Sequence, residues 1–221
     1  MWRTAIRAAL WLCIPAGLMA GQVYTVVVDT SSVNSSTGYV DLIFSADPTA
    51  QSAFVTIAEF TPADLLGVAQ LSGPNVAGTL PGTVTIDNTI GSGTFQQSSD
   101  YFQQIAFGPQ LTFLLTFAGP AAVAPNPSFT GGSTFALALY DSDLSALPTV
   151  DLAGNLATIS WYSDGTTVVS AFASDAAGGP PLSSVTEVAE PSLFPLFLVG
   201  AMGVLLGKWH RRRATLTSWR H

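Results

Sequence analysis

An all-β fold, built as a single antiparallel β-sandwich of jelly-roll type, is what this sequence predicts for its central part. Three observations predict it. Nine stretches of five to seven residues, rich in β-branched and aromatic side chains, recur between positions 23 and 172. Turn-forming residues separate them. Sustained helical periodicity is missing outside two apolar segments near the chain ends. A closed barrel is the alternative. No repeat of roughly 20–50 residues argues for a solenoid or propeller.

The chain opens with Arg3 and Arg7, an apolar run from Ala8 to Leu18, and the small pair Ala20-Gly21. This is the layout of a secretory signal peptide over residues 1–20, too short for an anchor. Cys13 follows Leu12, which is too large for a lipoprotein signal, so Cys13 leaves with the peptide. The remaining chain then has no cysteine and no disulfide framework.

The body, residues 21–173, begins with the strand-like Val23 to Asp29. Tyr39 to Ser45, Ala53 to Glu59 and the cleanly alternating Thr83 to Asp87 follow. Next come Tyr101 to Phe107, Leu111 to Phe117, Thr134 to Tyr140, Leu156 to Tyr162 and Thr167 to Phe172. Ser72-Gly73-Pro74-Asn75, Pro81-Gly82, Pro125-Asn126-Pro127 and Gly131-Gly132 mark turns. Asp164-Gly165 sits between two strand patterns and predicts a hairpin. Thr61 to Gln70, with Pro62 near its start, reads as a short helix. Residues 174–186, around Gly178-Gly179-Pro180-Pro181, read as a flexible Gly/Pro/Ser linker.

Residues 187–213 form a three-part tail. Glu190-Pro191-Ser192 precedes the uncharged run from Leu193 to Gly207, which Lys208, Trp209 and the cluster Arg211-Arg212-Arg213 close. As a helix that run measures ~22 Å, and its Trp and Lys flanks let it just span a ~30 Å hydrocarbon core. Gly203 and Gly207 make a GxxxG pair, a weak dimerisation signal because glycine is common in membrane helices. Lys208, Arg211, Arg212 and Arg213 hold the end on the cytoplasmic side, and residues 214–221 form a cytoplasmic tail.

Charge is partitioned sharply. Every Lys, Arg and His lies at positions 3, 7, 208, 210, 211, 212, 213, 220 or 221, whereas all 14 Asp and Glu lie within residues 21–190. The whole-chain charge of −7 conceals a middle that carries −14. Cationic ends stay inside while the acidic middle crosses, so the precursor is expected to be a hairpin with its body outside. Such a body repels nucleic acid.

The residue inventory limits the chemistry. With no His and no Cys in the body, Ser–His nucleophilic sites and soft-metal sites have no components. No lysine-bearing phosphate loop is present. Glu59, Asp64, Asp100, Asp141 and Asp143 supply carboxylates for a hydrolytic pair, but no spacing selects two of them. The sequence therefore predicts no enzyme and no resident cofactor. Ca²⁺ is the one ion considered, at Asp141, Asp143 and Asp151, against simple Asx-turn bonding by the same acids. Trp161 and Tyr162 are the candidates for stacking on a sugar, although neighbours on a strand face opposite ways and one of them belongs inside. Asn34-Ser35-Ser36 fits an N-glycosylation acceptor.

Motif, apolar helix and arginine cluster together resemble the PEP-CTERM sorting signal of exported Gram-negative proteins. Glu190 and Pro191 match the second and third positions of that motif, and Ala189 stands where its first proline is expected. Tyr24 to Ser31, Gly78 to Val84, Asp100 to Phe102 and Gly132 to Asp141 are similar to a group of PEP-CTERM-tailed proteins with no assigned activity. The resemblance implies recognition of Glu190, Pro191 and Ser192 by an exosortase-type membrane protease, after export by the Sec machinery. It also implies an outer-envelope or extracellular setting beside exopolysaccharide or biofilm. The expected function is that of a structural or interaction component of the cell surface or matrix. A surface carbohydrate-binding module and a secreted hydrolase are the alternatives.

Overall fold

The computed structural model describes residues 21–73, 75–90, 94–95 and 98–189. The leader, the Glu190-Pro191-Ser192 motif, Lys208 and Arg211 to Arg213 lie outside them. The described chain is almost entirely antiparallel β-structure. Its strands are β1 (Gln22–Asp29), β2 (Thr37–Ala46), β3 (Phe54–Ser72), β4 (Val76–Gly78), β5 (Val84–Asp87), β6 (Thr89–Ile90), β7 (Thr94–Phe95), β8 (Ser98–Ala118), β9 (Gly132–Asp141), β10 (Asn155–Tyr162), β11 (Thr167–Ala171) and β12 (Ser183–Glu187). Helical structure is limited to one 3₁₀ turn, Ser31–Val33, and one short α-helix, Pro120–Val123.

Strand β8 is the spine of the sheet. Its first half pairs with β2, from Ser98↔Ser45 to Ala106↔Thr37. Its second half pairs with β1, from Gln110↔Asp29 to Phe117↔Gln22. Between them lies Gly108-Pro109, where Thr30 holds the bend: Thr30 Oγ1 donates to the Gly108 carbonyl at 2.7 Å and Thr30 N to the Pro109 carbonyl at 3.1 Å. Strand β3 follows β8 along both halves, with register shifts between Ala58 and Ala63 and again between Leu66 and Gln70. One half of the sheet thus runs β11-β10-β9-β2-β8, and the other runs through β1, β8, β3, β5 and β4.

The bend turns one face of both halves toward a shared core. Odd-numbered residues of β8 are buried on either side of the bend, from Ser99 to Phe107 and from Leu111 to Phe117. Even-numbered Val40, Leu42 and Phe44 on β2 meet them. Rings from the two halves touch: Phe135 of β9 lies 6.3 Å from Phe113, and Phe44 of β2 lies 6.5 Å from Phe117. The result is sandwich-like. Gly38, inward-facing on β2, packs against the Tyr140 carbonyl and the Phe107 ring, where a Cβ has no room.

Three local expectations change. The stretch Thr61 to Gln70 is not a helix but the irregular second half of β3. There the ladder with β8 prevails over local preference, and Glu59 (φ 55°) and Gly67 (φ 67°) absorb the irregularity. The runs 101–107 and 111–117 are one 21-residue strand, because Gly108-Pro109 bends the ladder without ending it. The 174–186 stretch is not a free linker. Asp175 Oδ1 accepts from Ala177 N and Gly179 N, both at 2.9 Å, and so closes a turn. Ser183–Glu187 then pairs with β1, from Tyr24↔Glu187 to Val28↔Ser183. The alternation of Ser183, Val185 and Glu187 with Ser184 and Thr186 makes a strand that the Gly-Pro run conceals. Asp164-Gly165 does close the β10–β11 hairpin, with Gly165 at φ 86°.

Candidate binding face

Period-2 alternation on β2 sends Tyr39, Asp41, Ile43 and Ser45 to the outer face of the sheet. Register supplies their neighbours. Tyr39 is opposite Tyr140 on β9 and Gln104 on β8, and Asp41 is opposite Ala138 and Phe102. Ile43 is opposite Ala136 and Asp100. A carboxylate is thereby set among apolar groups that are buried (Ala136, Ala138) or half-buried (Ile43, Phe102). The Tyr39 and Phe102 rings stack, with centroids 4.9 Å apart and planes 11° from parallel. Tyr140 leans on Phe102 at 6.2 Å and 55°.

Asp41 is the anomaly of the face. Its Oδ1 is enclosed and has no hydrogen-bond partner among the described residues. Burial, and then the charge of Asp100 diagonally across the β2–β8 ladder, push its carboxyl up to about 7. The Tyr140 hydroxyl is likewise raised, first by burial and then by the Asp41 charge.

Asn75 Nδ2 and Ser99 Oγ are also enclosed without a partner among the described residues, but they are neutral groups. The larger interior polar side chains are satisfied. Asn88 accepts from Ala53 N at 2.9 Å, and its amide donates to the Gln51 carbonyl at 3.1 Å and to Ser133 Oγ at 2.9 Å. Tyr101 donates to Gln103 Oε1 at 2.8 Å, and the Gln103 amide donates to the carbonyls of Leu66 and Gly67 at 3.0 and 3.1 Å. These networks join strands and are structural. Further along the outer face, Ser45, Ala46, Asp47, Pro48, Gly132 and Thr134 line an open recess of about 260 Å³.

The structure separates the residues singled out from sequence. Trp161 is enclosed, 4% exposed, and stacks on Phe117 with centroids 4.1 Å apart and planes 4° from parallel. Its Nε1 donates to Gln22 Oε1 at 2.8 Å. Both indole contacts are internal, so this ring offers no face to a sugar, whereas Tyr162 is 46% exposed. Asp141 and Asp151 close turns. Asp141 Oδ1 accepts from Asp143 N and Ser145 N, both at 2.9 Å. Asp151 Oδ2 accepts from Asn155 N at 3.0 Å and Asn155 Nδ2 at 2.8 Å. Asp141, Asp143 and Asp151 are not brought together as a ligand set: among the described residues no three Asp, Glu, His or Cys form a group able to hold a metal. Asn34 is exposed in the turn before β2. No helix among the described residues is long and apolar enough to cross a membrane.

Sequence reasoning passed over Asp41. The strand Tyr39 to Ser45 is legible, and a carboxylate at an outward position reads as a solubilising group. What sets it apart is its cross-strand company, Phe102 and Ala138, which only long-range register supplies.

No family model, curated protein or solved structure matches the chain.

Proposed function

We propose that this chain is an exported, non-enzymatic β-sandwich protein of jelly-roll type, a structural or interaction component of the cell surface or extracellular matrix. Its leader directs it through the Sec machinery, and its C-terminal helix holds it as an inner-membrane intermediate. An exosortase-type protease acting at Glu190, Pro191 and Ser192 releases it toward the outer envelope and an exopolysaccharide setting.

The observation that carries this reading is the pairing of the first and last strands. β1 and β12 are antiparallel neighbours, and Val188 N donates to the Val23 carbonyl at 2.8 Å. Gly21 and Val188 therefore stand at the same end of one strand pair. A hairpin precursor held by basic groups at both ends needs its body to release both ends on one side. The charge partition supports the same arrangement, since the described body contains no Lys, Arg or His. The strand pairing also leaves only Ala189 between the last backbone bond to β1 and the motif.

Intact-mass analysis of the protein recovered outside the cell tests the reading at both termini. The expected mass begins at Gly21 and lacks residues 193–221. A mass that retains 193–221 would make the tail a plain anchor, and one that retains 1–20 would remove the leader from the account.

A further inference from the structure

We propose that the outer face of β2, β8 and β9 binds an alkylammonium group carried on a sugar ring, with Asp41 and Asp100 as counter-charges and Tyr39, Phe102 and Tyr140 as the apolar wall. The proposal goes beyond delivery and stands whether or not the chain is exported.

Three features point to a cation. First, Asp41 Oδ1 is the one ionisable atom among the enclosed, unpartnered side-chain atoms of the described residues; the other two, Asn75 Nδ2 and Ser99 Oγ, are neutral. Burying an uncompensated carboxylate is costly, and once the proton is lost an opposite charge is what relieves it. Carboxylate charge is shared by both oxygens, so an ammonium at Oδ2 relieves Oδ1 as well. Second, the body cannot supply that charge itself, because no Lys, Arg or His occurs in residues 21–189. Third, the flanking groups are aromatic. Tyr39 stacks on Phe102, and Tyr140 leans on Phe102 from the other side of β2. Electron-rich ring faces attract organic cations most strongly where water is partly excluded.

Other ligand classes fit less well. A hard metal ion wants six or more oxygens, and no three-residue ligand group exists among the described residues. An anion would meet two carboxylates and no cationic donor. A neutral sugar would leave protonation as the only relief for the Asp41 carboxyl.

The continuation of the face favours a sugar as the amine's carrier. Past Ile43 on the same face, Ser45, Asp47 and Thr134 line the open recess. Ser45 lies about 13 Å from Asp41, four residues at roughly 3.3 Å each. A linear amino-sugar oligomer laid along β2 would place one amine at Asp41 and hydroxyls at the recess.

The test is isothermal titration of the full chain in neutral detergent, at pH 7, with three probes: a glucosamine oligomer, its N-acetylated counterpart and spermidine. The glucosamine oligomer is expected to bind, and the N-acetylated one to bind at least about tenfold more weakly, as for one charge-assisted contact. Spermidine binding more weakly than the glucosamine oligomer supports a sugar carrier; equal or tighter binding would overturn that part. Asp41→Asn is expected to weaken glucosamine-oligomer binding about tenfold, and Asp175→Asn, at an exposed acid, to leave it within about twofold. Thermal unfolding of both variants confirms that each is folded. Equal binding of acetylated and free-amine oligomers, equal losses in the two variants, or no binding of the glucosamine oligomer would overturn the proposal.

Discussion

Replacing Trp161 by alanine is expected to destabilise the body by about 3–5 kcal/mol, as for a fully packed aromatic side chain. The indole is the keystone between the two halves of the sheet. It stacks on Phe117 of β8 and meets Phe44 of β2 and Tyr24 of β1 edge-on, at 6.4 and 5.9 Å. Its loss opens a cavity among four strands and removes a donor from Gln22 Oε1, which also receives Tyr24 Oη at 2.8 Å and Thr167 Oγ1 at 3.2 Å. Urea unfolding followed by tyrosine fluorescence measures the change. A cost below about 1 kcal/mol would place the indole outside the core. Trp161→Phe keeps a ring on Phe117 and loses the donor and part of the indole's volume, so its cost should be smaller, about 1–3 kcal/mol.

The second large effect is a pH dependence centred on Asp41. Its folded carboxyl titrates at about 7, against about 3.9 for an unfolded aspartate. Between those values the folded chain holds a proton that the unfolded chain has lost, so stability falls as pH rises through the window. Below about pH 4 both states are protonated and the penalty vanishes. Above about pH 7 the buried charge exerts its full cost. Asp41→Asn should therefore gain on the parent by about 1–3 kcal/mol between pH 4 and pH 8, a figure reduced for partial contact of the carboxyl with water. The groups facing Asp41 are Tyr39 on its own strand, Asp100 on β8 and Tyr140 on β9. The Tyr140 hydroxyl, raised by burial and by the Asp41 charge, stays neutral in this range, so the profile belongs to Asp41. Unfolding curves of both proteins across that range decide it. A difference that does not vary with pH would mean that Asp41 is solvated.

Much of the fold is legible in the sequence wherever one strand has one buried face. Val84 and Ile86 alternate with Thr85 and Asp87, and the burial follows that alternation. The same period sends Trp161 inward and Tyr162 outward. Asp164-Gly165 marks its hairpin because φ above zero at Gly165 is a local requirement. What escapes is long-range. Gly108-Pro109 looks like a strand end in isolation. It becomes a bend only because β2 pairs before it, β1 pairs after it and Thr30 ties both carbonyls. Ser183 to Glu187 looks like linker until β1 supplies an edge for it. The outer face of β2 is shared with two strands distant in sequence, β8 and β9, and no local pattern marks it.

Delivery of an acid-only body across a membrane by two basic, removable ends is the central claim. Leu152 is fully exposed, and Cys13 is the only cysteine in the chain. Leu152→Cys in a Cys13→Ser background therefore reports the side of the membrane on which the body lies. In spheroplasts of a Gram-negative host, a membrane-impermeant maleimide is expected to label that cysteine without lysis. Labelling that appears only after lysis would keep the body in the cytosol and contradict the account.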